Sequence, residues 1–80
     1  MRARVFITLK PGVLDPAGKA VEKSLHTLGF PEASEVRIGK FVELDVDARD
    51  AAQAKARVEQ MCQKLLANLV VESFKVEIQA

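Results

Sequence analysis

From Arg4 to Lys10 the chain alternates, with Val5, Ile7 and Leu9 on one face and Arg4, Phe6 and Thr8 on the other, the period of a half-buried strand. Pro11 and Gly12 stop it. Leu14-Asp15-Pro16 then reads as a helix start, with Asp15 as N-cap and Pro16 at the first helical position, where no N–H is missed. Ala17, Val21, Ser24 and Leu28, with Ala20 and Leu25 alongside, form a stripe at helical spacing, while Lys19, Glu22, Lys23 and His26 point mostly outward. Gly29 supplies the stop.

A second β pattern follows Phe30-Pro31. Val36 and Ile38, then Gly39-Lys40, then Val42, Leu44 and Val46 alternating with Phe41, Glu43 and Asp45 predict an antiparallel hairpin. From Arg49 to Leu66 the period changes, with Ala51, Ala54, Val58, Met61 and Leu65 three or four apart, which predicts a long amphipathic helix ended at Asn68. Glu72 to Ile78 alternates again, with Phe74, Val76 and Ile78 inward. The order β-α-β-β-α-β matches the split βαβ plan, so the expected fold is α+β: a ferredoxin-like two-layer sandwich, with two helices on one face of a four-stranded antiparallel sheet. Its other face would carry polar residues and the aromatic pair Phe6 and Phe41, open to water or packed on another subunit.

Eighty residues suit a single domain spanning 1–80, burying roughly 60% of the surface of the unfolded chain. Twelve basic residues against eleven acidic ones leave a net charge of +1, too balanced to hold a polyphosphate by counterion release, so nucleic acid is not an expected partner. The first half carries seven basic and four acidic residues and the second five and seven, an asymmetry too weak to steer binding. No apolar run approaches a membrane span and no signal-peptide pattern opens the chain, so a cytoplasmic location is expected.

Catalysis requires convergent nucleophiles, bases, carboxylates or a metal, and the chain offers few candidates. His26, on the polar side near the end of the first helix, reads as a solvated histidine at the helix C-terminal dipole. Cys62, beside the inner stripe of the second helix, reads as a small buried hydrophobe. One histidine and one cysteine do not make a zinc site or a disulfide, and Glu43, Asp45 and Asp47 lack a calcium-type loop. No catalytic, cofactor-binding or metal-binding residue is therefore expected.

The most constrained stretch runs from Lys10 to Gly18, with two prolines and two glycines in a strand-to-helix connection. It reads either as a rigid turn with an N-cap or as a recognition loop. Asp15 at the cap opposes a phosphate there, so protein contact is the favoured functional reading.

Three segments together resemble the PurS-type small subunits of phosphoribosylformylglycinamidine synthase: LKPGVLDPAGKAV from Leu9 to Val21, VRIGKFVEL from Val36 to Leu44, and MCQKLLANLVVESFKVEI from Met61 to Ile78. Leu69 stands where that family usually has proline. The resemblance covers nearly the whole chain and implies an accessory, non-catalytic subunit of a glutamine-dependent C–N ligase in purine biosynthesis. It implies as partners a large synthetase subunit, which uses ATP and Mg and binds formylglycinamide ribonucleotide, and a glutaminase subunit that releases ammonia from glutamine. The small subunit would bridge the two and assist ammonia transfer, with no cofactor of its own. It would also form a homodimer or higher homo-oligomer.

Inside the matching motifs, Lys10, Pro11, Gly12, Asp15, Pro16, Gly18, Lys40 and Asn68 are the expected partner contacts, and Phe6 and Phe41 the expected self-association residues. Two alternatives share the fold plan. An ACT-like amino-acid-binding regulatory module accounts for the Pro11-to-Leu14 stretch but gives VRIGK and LLAN no role. An acylphosphatase-like enzyme would need an arginine-bearing phosphate loop that the sequence lacks.

Overall fold

The computed structural model describes residues 1–79. Its elements are strand β1 (Arg2–Leu9), helix α1 (Pro16–Thr27), strand β2 (Lys40–Asp45), helix α2 (Ala51–Met61) running into a π-helical turn (Cys62–Leu66), and strand β3 (Glu72–Gln79). The strands form an antiparallel sheet in the order β2-β1-β3, with Val5 of the central strand opposite Val42 on one side and Val76 on the other.

Period-2 patterning puts Ala3, Val5 and Ile7 of β1 on the inner face, where all three are buried. Against them α2 sets Ala54 and Val58, and the π-helical turn that continues it sets Cys62, spaced by four, so the two together present one buried ridge. Val46 and Val76 close the core, and Phe74, Ile78, Met61 and Leu66 pack around it. Both helix starts are capped by aspartate. Asp15 accepts from the Gly18 N–H and Asp50 from the Gln53 N–H, each at 2.8 Å. Gly29, at φ 101°, ends α1 in the left-handed region, as its place in the sequence requires.

The α+β class, the antiparallel pairing and both helices stand. The fourth strand and the two-helix cover do not appear among the described residues. Val36 to Ile38 is outside the sheet, and the expected hairpin around Gly39 is absent. The physical reason lies in its backbone donors. The Val36 N–H donates to Oε1 of Glu22 at 3.2 Å and the Ile38 N–H to Oδ2 of Asp15 at 2.8 Å, so α1 carboxylates take the place of a neighbouring strand. Glu35, at φ 53°, turns the chain into this segment.

Helix α1 correspondingly leaves the sheet. It makes no substantial packing contact with any strand or with α2. The molecule measures 50 × 26 × 14 Å with a radius of gyration of 15.8 Å, against about 12 Å for a compact chain of this length. One helix, α2, covers β1 and β3, and the inner face of β2 borders an open apolar groove of about 420 Å³.

Candidate partner interface

Because β1 runs antiparallel to both neighbours, its C-terminal end meets the starts of β2 and β3. That single end of the sheet gathers most of the residues the sequence singles out. At the tip of β1, Lys10 to Val13 form a turn closed by a 3.1 Å bond from the Val13 N–H to the Lys10 carbonyl. Pro11 at the second position and Gly12 at φ 85° in the third are the residues a type II turn demands. Both are exposed.

Lys10 links this turn to the connection before β3. Its N–H donates to the Val71 carbonyl at 2.8 Å and its ammonium to the Leu69 carbonyl at 2.6 Å. Asn68 shapes that connection from within, its side-chain Oδ1 accepting from the Val70 N–H and its carbonyl accepting from the N–H groups of Val71 and Glu72. The Glu72 carboxylate returns to accept from the Asn68 N–H at 2.7 Å and pairs with Lys40 at 3.4 Å. The Asn68 backbone donor, aided by Lys40, holds Glu72 below the ordinary carboxylate range. Lys10, Lys40 and Asn68, distant in sequence, are thus joined through Leu69 and Glu72.

Asp15, Pro16 and Gly18 form a second, adjoining group. Asp15 is 5% exposed, with one carboxylate oxygen accepting from Gly18 and the other from Ile38. These two backbone donors depress its pKa, with Arg37 adding a favourable charge. Gly18 is buried where a Cβ would collide with the Val36 carbonyl oxygen. Asp15 and Gly18 therefore shape the interface from inside, and exposed Pro16 lies on its surface.

Sequence reasoning passed over Arg37, whose guanidinium donates to the Val13 carbonyl at 3.0 Å and to those of Lys10 and Leu9 at 3.2 and 3.4 Å. Five donors in a planar fork suit a loop with several free carbonyls, and the available signal was an arginine inside VRIGK. It also passed over the apolar tip Leu69-Val70 beside Lys10, where Val70 is 82% exposed. The run Leu69-Val70-Val71 in a predicted turn was the signal.

On the outer face of the sheet, Phe6 and Phe41 lie directly opposite each other, their rings stacked with centroids 5.0 Å apart. Arg4 reaches over the Phe41 ring at 5.9 Å. Both rings are partly open to solvent. Cys62 is buried, which pushes its thiol pKa up, and His26 bonds the Ala33 carbonyl at 2.6 Å on the surface. Among the described residues no three His, Cys, Asp or Glu side chains come together as a metal site, and no helix is long and apolar enough to cross a membrane.

Comparison with known proteins decides the family. The model of the family PurS, phosphoribosylformylglycinamidine (FGAM) synthase, matches residues 2–80. The chain belongs to the PurS family. The phosphoribosylformylglycinamidine synthase subunit PurS of Synechocystis is 49% identical over 77 residues, 96% of this chain and 77% of that protein. The structure of Bacillus subtilis PurS superposes with a TM-score of 0.86 at 41% identity, covering 99% of this chain and 98% of that one. A chain in the structure of PurLQS from Thermotoga maritima superposes with a TM-score of 0.87 at 29% identity, covering 95% and 93%. A PurS protein is a subunit of FGAM synthase, and this membership leaves the amino-acid-sensor alternative without support.

Proposed function

We propose that this chain, as one domain, is the non-catalytic bridge of an FGAM synthase, holding the glutaminase and the large synthetase subunit in register. In this reading ammonia released from glutamine passes to the synthetase, which uses ATP and Mg to convert formylglycinamide ribonucleotide to the amidine. Ammonia escaping into neutral water is protonated and loses its nucleophilic lone pair, so coupling depends on how the two sites are held. Such a role asks for rigidity and complementary surface. A cytoplasmic location accompanies it.

One observation carries the proposal. The three segments that mark the family converge at one end of the sheet, where Arg37, Asp15, Lys10, Glu72 and Asn68 lock two loops to each other. Those locked loops present Pro11, Gly12, Leu69 and Val70 outward. Exposed apolar and backbone groups on a pre-ordered frame bind a protein partner at low entropic cost. Lys10, Pro11, Gly12, Pro16, Lys40 and Asn68 are the proposed contacts, with Asp15 and Gly18 shaping the surface from behind.

Self-association belongs to the same reading, with Phe6 and Phe41 on the outer face as one contact between copies. Sizing of the three purified subunits, alone and mixed, tests the bridge: the glutaminase and synthetase are expected to co-elute only when this chain is present. Co-elution without it contradicts the proposal.

A further inference from the structure

Summed over the two halves of the chain the charge asymmetry is slight, yet the sheet sorts it between its two ends. At the loop end Lys10, Lys19, Arg37 and Lys40 are all exposed. Lys10 and Arg37 donate to carbonyl oxygens, which leave their positive charge in place. Among the described residues no carboxylate forms an ion pair with Lys10, Lys19 or Arg37. The acidic groups at this end are withdrawn. Asp15 is buried with both oxygens bonded to backbone N–H groups, and Glu72, its side chain 14% exposed, accepts from Asn68 and pairs with Lys40. Of the carboxylates lining the open cavity between the β1 tip and the start of α1, Glu35 is the one left exposed.

The opposite end of β1 is built the other way round. Arg2 is held between Glu43 and Asp45, each at 3.2 Å, so there the cation is the group consumed. Asp45 remains 80% exposed, and Asp47 beyond it is exposed as well. The eight residues of β1 separate the two ends by about 26 Å, more than twice the screening length of about 10 Å at 0.1 M salt. Each end therefore presents its own sign to an approaching surface.

The basic end also carries the apolar tip, where Leu69 and Val70 are exposed. Asn68 and Glu72 hold the backbone of this tip from both sides, and Lys10 grips the Leu69 carbonyl. Apolar side chains on a fixed turn beside unpaired cations have the anatomy of a protein contact, a desolvated centre with charge at its rim. A nucleic acid would engage the cations and leave the tip without a use.

We propose that the loop end seats on an acidic protein surface of a partner subunit, Leu69 and Val70 entering an apolar recess there while Lys10, Lys19, Arg37 and Lys40 face its carboxylates. The inference rests on the bridging reading above and adds the sign and chemistry of the surface that the bridge meets. It also gives the bridge a polarity, because the end around Asp45 and Asp47 is repelled by that same surface. Charge sets the orientation of approach, and the apolar tip supplies the hold.

Opposite charges placed at one exposed position test it in the full chain. Val70→Lys and Val70→Asp remove the same apolar contact and differ in sign, and the affinity of each for the two purified partner subunits is measured by sedimentation. At about 0.1 M salt Val70→Asp is expected to weaken assembly about tenfold more than Val70→Lys, with the gap closing at about 1 M salt, where screening falls to about 3 Å. Equal losses, or a larger loss for Val70→Lys, overturn the acidic surface while sparing the bridge. Failure of the unaltered chain to join the two subunits overturns both.

A second pair separates local charge from net charge. Lys19 borders the loop-end cavity and Lys55 is exposed near the start of α2, so Lys19→Glu and Lys55→Glu change the total equally at different places. Lys19→Glu is expected to slow association about tenfold and Lys55→Glu by less than about twofold, with circular dichroism unchanged in both. Equal rates for the two variants, slowed or not, overturn the proposal.

Discussion

Asp15 and Ile38, 23 residues apart, meet through a 2.8 Å hydrogen bond from the Ile38 N–H to the second oxygen of the helix-capping carboxylate. The first oxygen already caps α1 through Gly18. One side chain therefore both starts a helix and fixes an extended segment beside it. Removing it frees two backbone donors, only one of which lies within the helix. Asp15→Ala is expected to lower the Tm by roughly 5 °C, the scale of a lost N-cap in a domain of this size, and to increase amide exchange at both Gly18 and Ile38. Faster exchange at Gly18 alone would show that the tie to Ile38 carries no stability.

Acid should weaken the same ties. Asp15 and Glu72 have folded-state pKa values below their ordinary 3.8 and 4.5, chiefly through backbone N–H donors. A depressed pKa contributes stability that is complete above the unfolded-state value and is lost as pH falls through the folded one. The Tm is thus expected to be insensitive to these two groups above about pH 5 and to fall as the medium is acidified below about pH 4. Glu72→Gln and Asp15→Asn should each flatten that acid slope in melts recorded across the range. Slopes equal to that of the unaltered protein would contradict the assignment.

Gly18 is a position where the smallest side chain is already too large. A Cβ there meets the backbone oxygen of Val36, which cannot rotate away. Gly18→Ala is expected to destabilise by about 1–3 kcal/mol, the usual cost of overpacking, despite alanine's better helix propensity. Chemical denaturation measures it, and a stabilised variant would show that α1 and the Val36–Ile38 segment are not packed together.

In the proposed self-association, the pair Phe6 and Phe41, stacked on the outer face of the sheet, is a contact between copies. Changing both to Asp is expected to yield a smaller species in sedimentation with the fold retained, since both rings lie outside the core. An unchanged mass would remove this face from the self-association account.

At the loop end, contact and conformation separate by substitution. Pro11 and Val70 are exposed and make no side-chain hydrogen bonds. Pro11→Ala together with Val70→Asp is expected to change stability by less than about 1 kcal/mol while abolishing co-elution with the synthetase and glutaminase. Lost stability with retained assembly would make these residues conformational.

Much of this architecture is legible in the chain because it is local. Asp15-Pro16 announces the start of α1, Gly29 its end, and the alternation of Val5 and Ile7, and of Phe74, Val76 and Ile78, sets the inner face of the sheet. What misled was Val36-Arg37-Ile38, whose alternation is that of a strand although its N–H partners are the carboxylates of Glu22 and Asp15. A hydrophobic period reports which side of a segment is apolar and is silent on what pairs with its backbone. The stripe on α1 is apolar, as its spacing predicts, yet α1 does not pack on the sheet of its own chain. Lys10, Lys40 and Asn68 were singled out by motif alone, while Arg37 and Glu72, which join the loops around them, were missed because bonds to distant backbone groups leave no periodic trace.

The central claim is that this chain couples two other active sites without one of its own. Its most direct test follows formation of the amidine by the large subunit and glutaminase, with and without this protein, using first glutamine and then ammonium as nitrogen source. The account predicts that glutamine-dependent formation requires this protein while ammonium supports the large subunit more nearly equally in both cases. Equal glutamine-dependent rates with and without it would contradict the account.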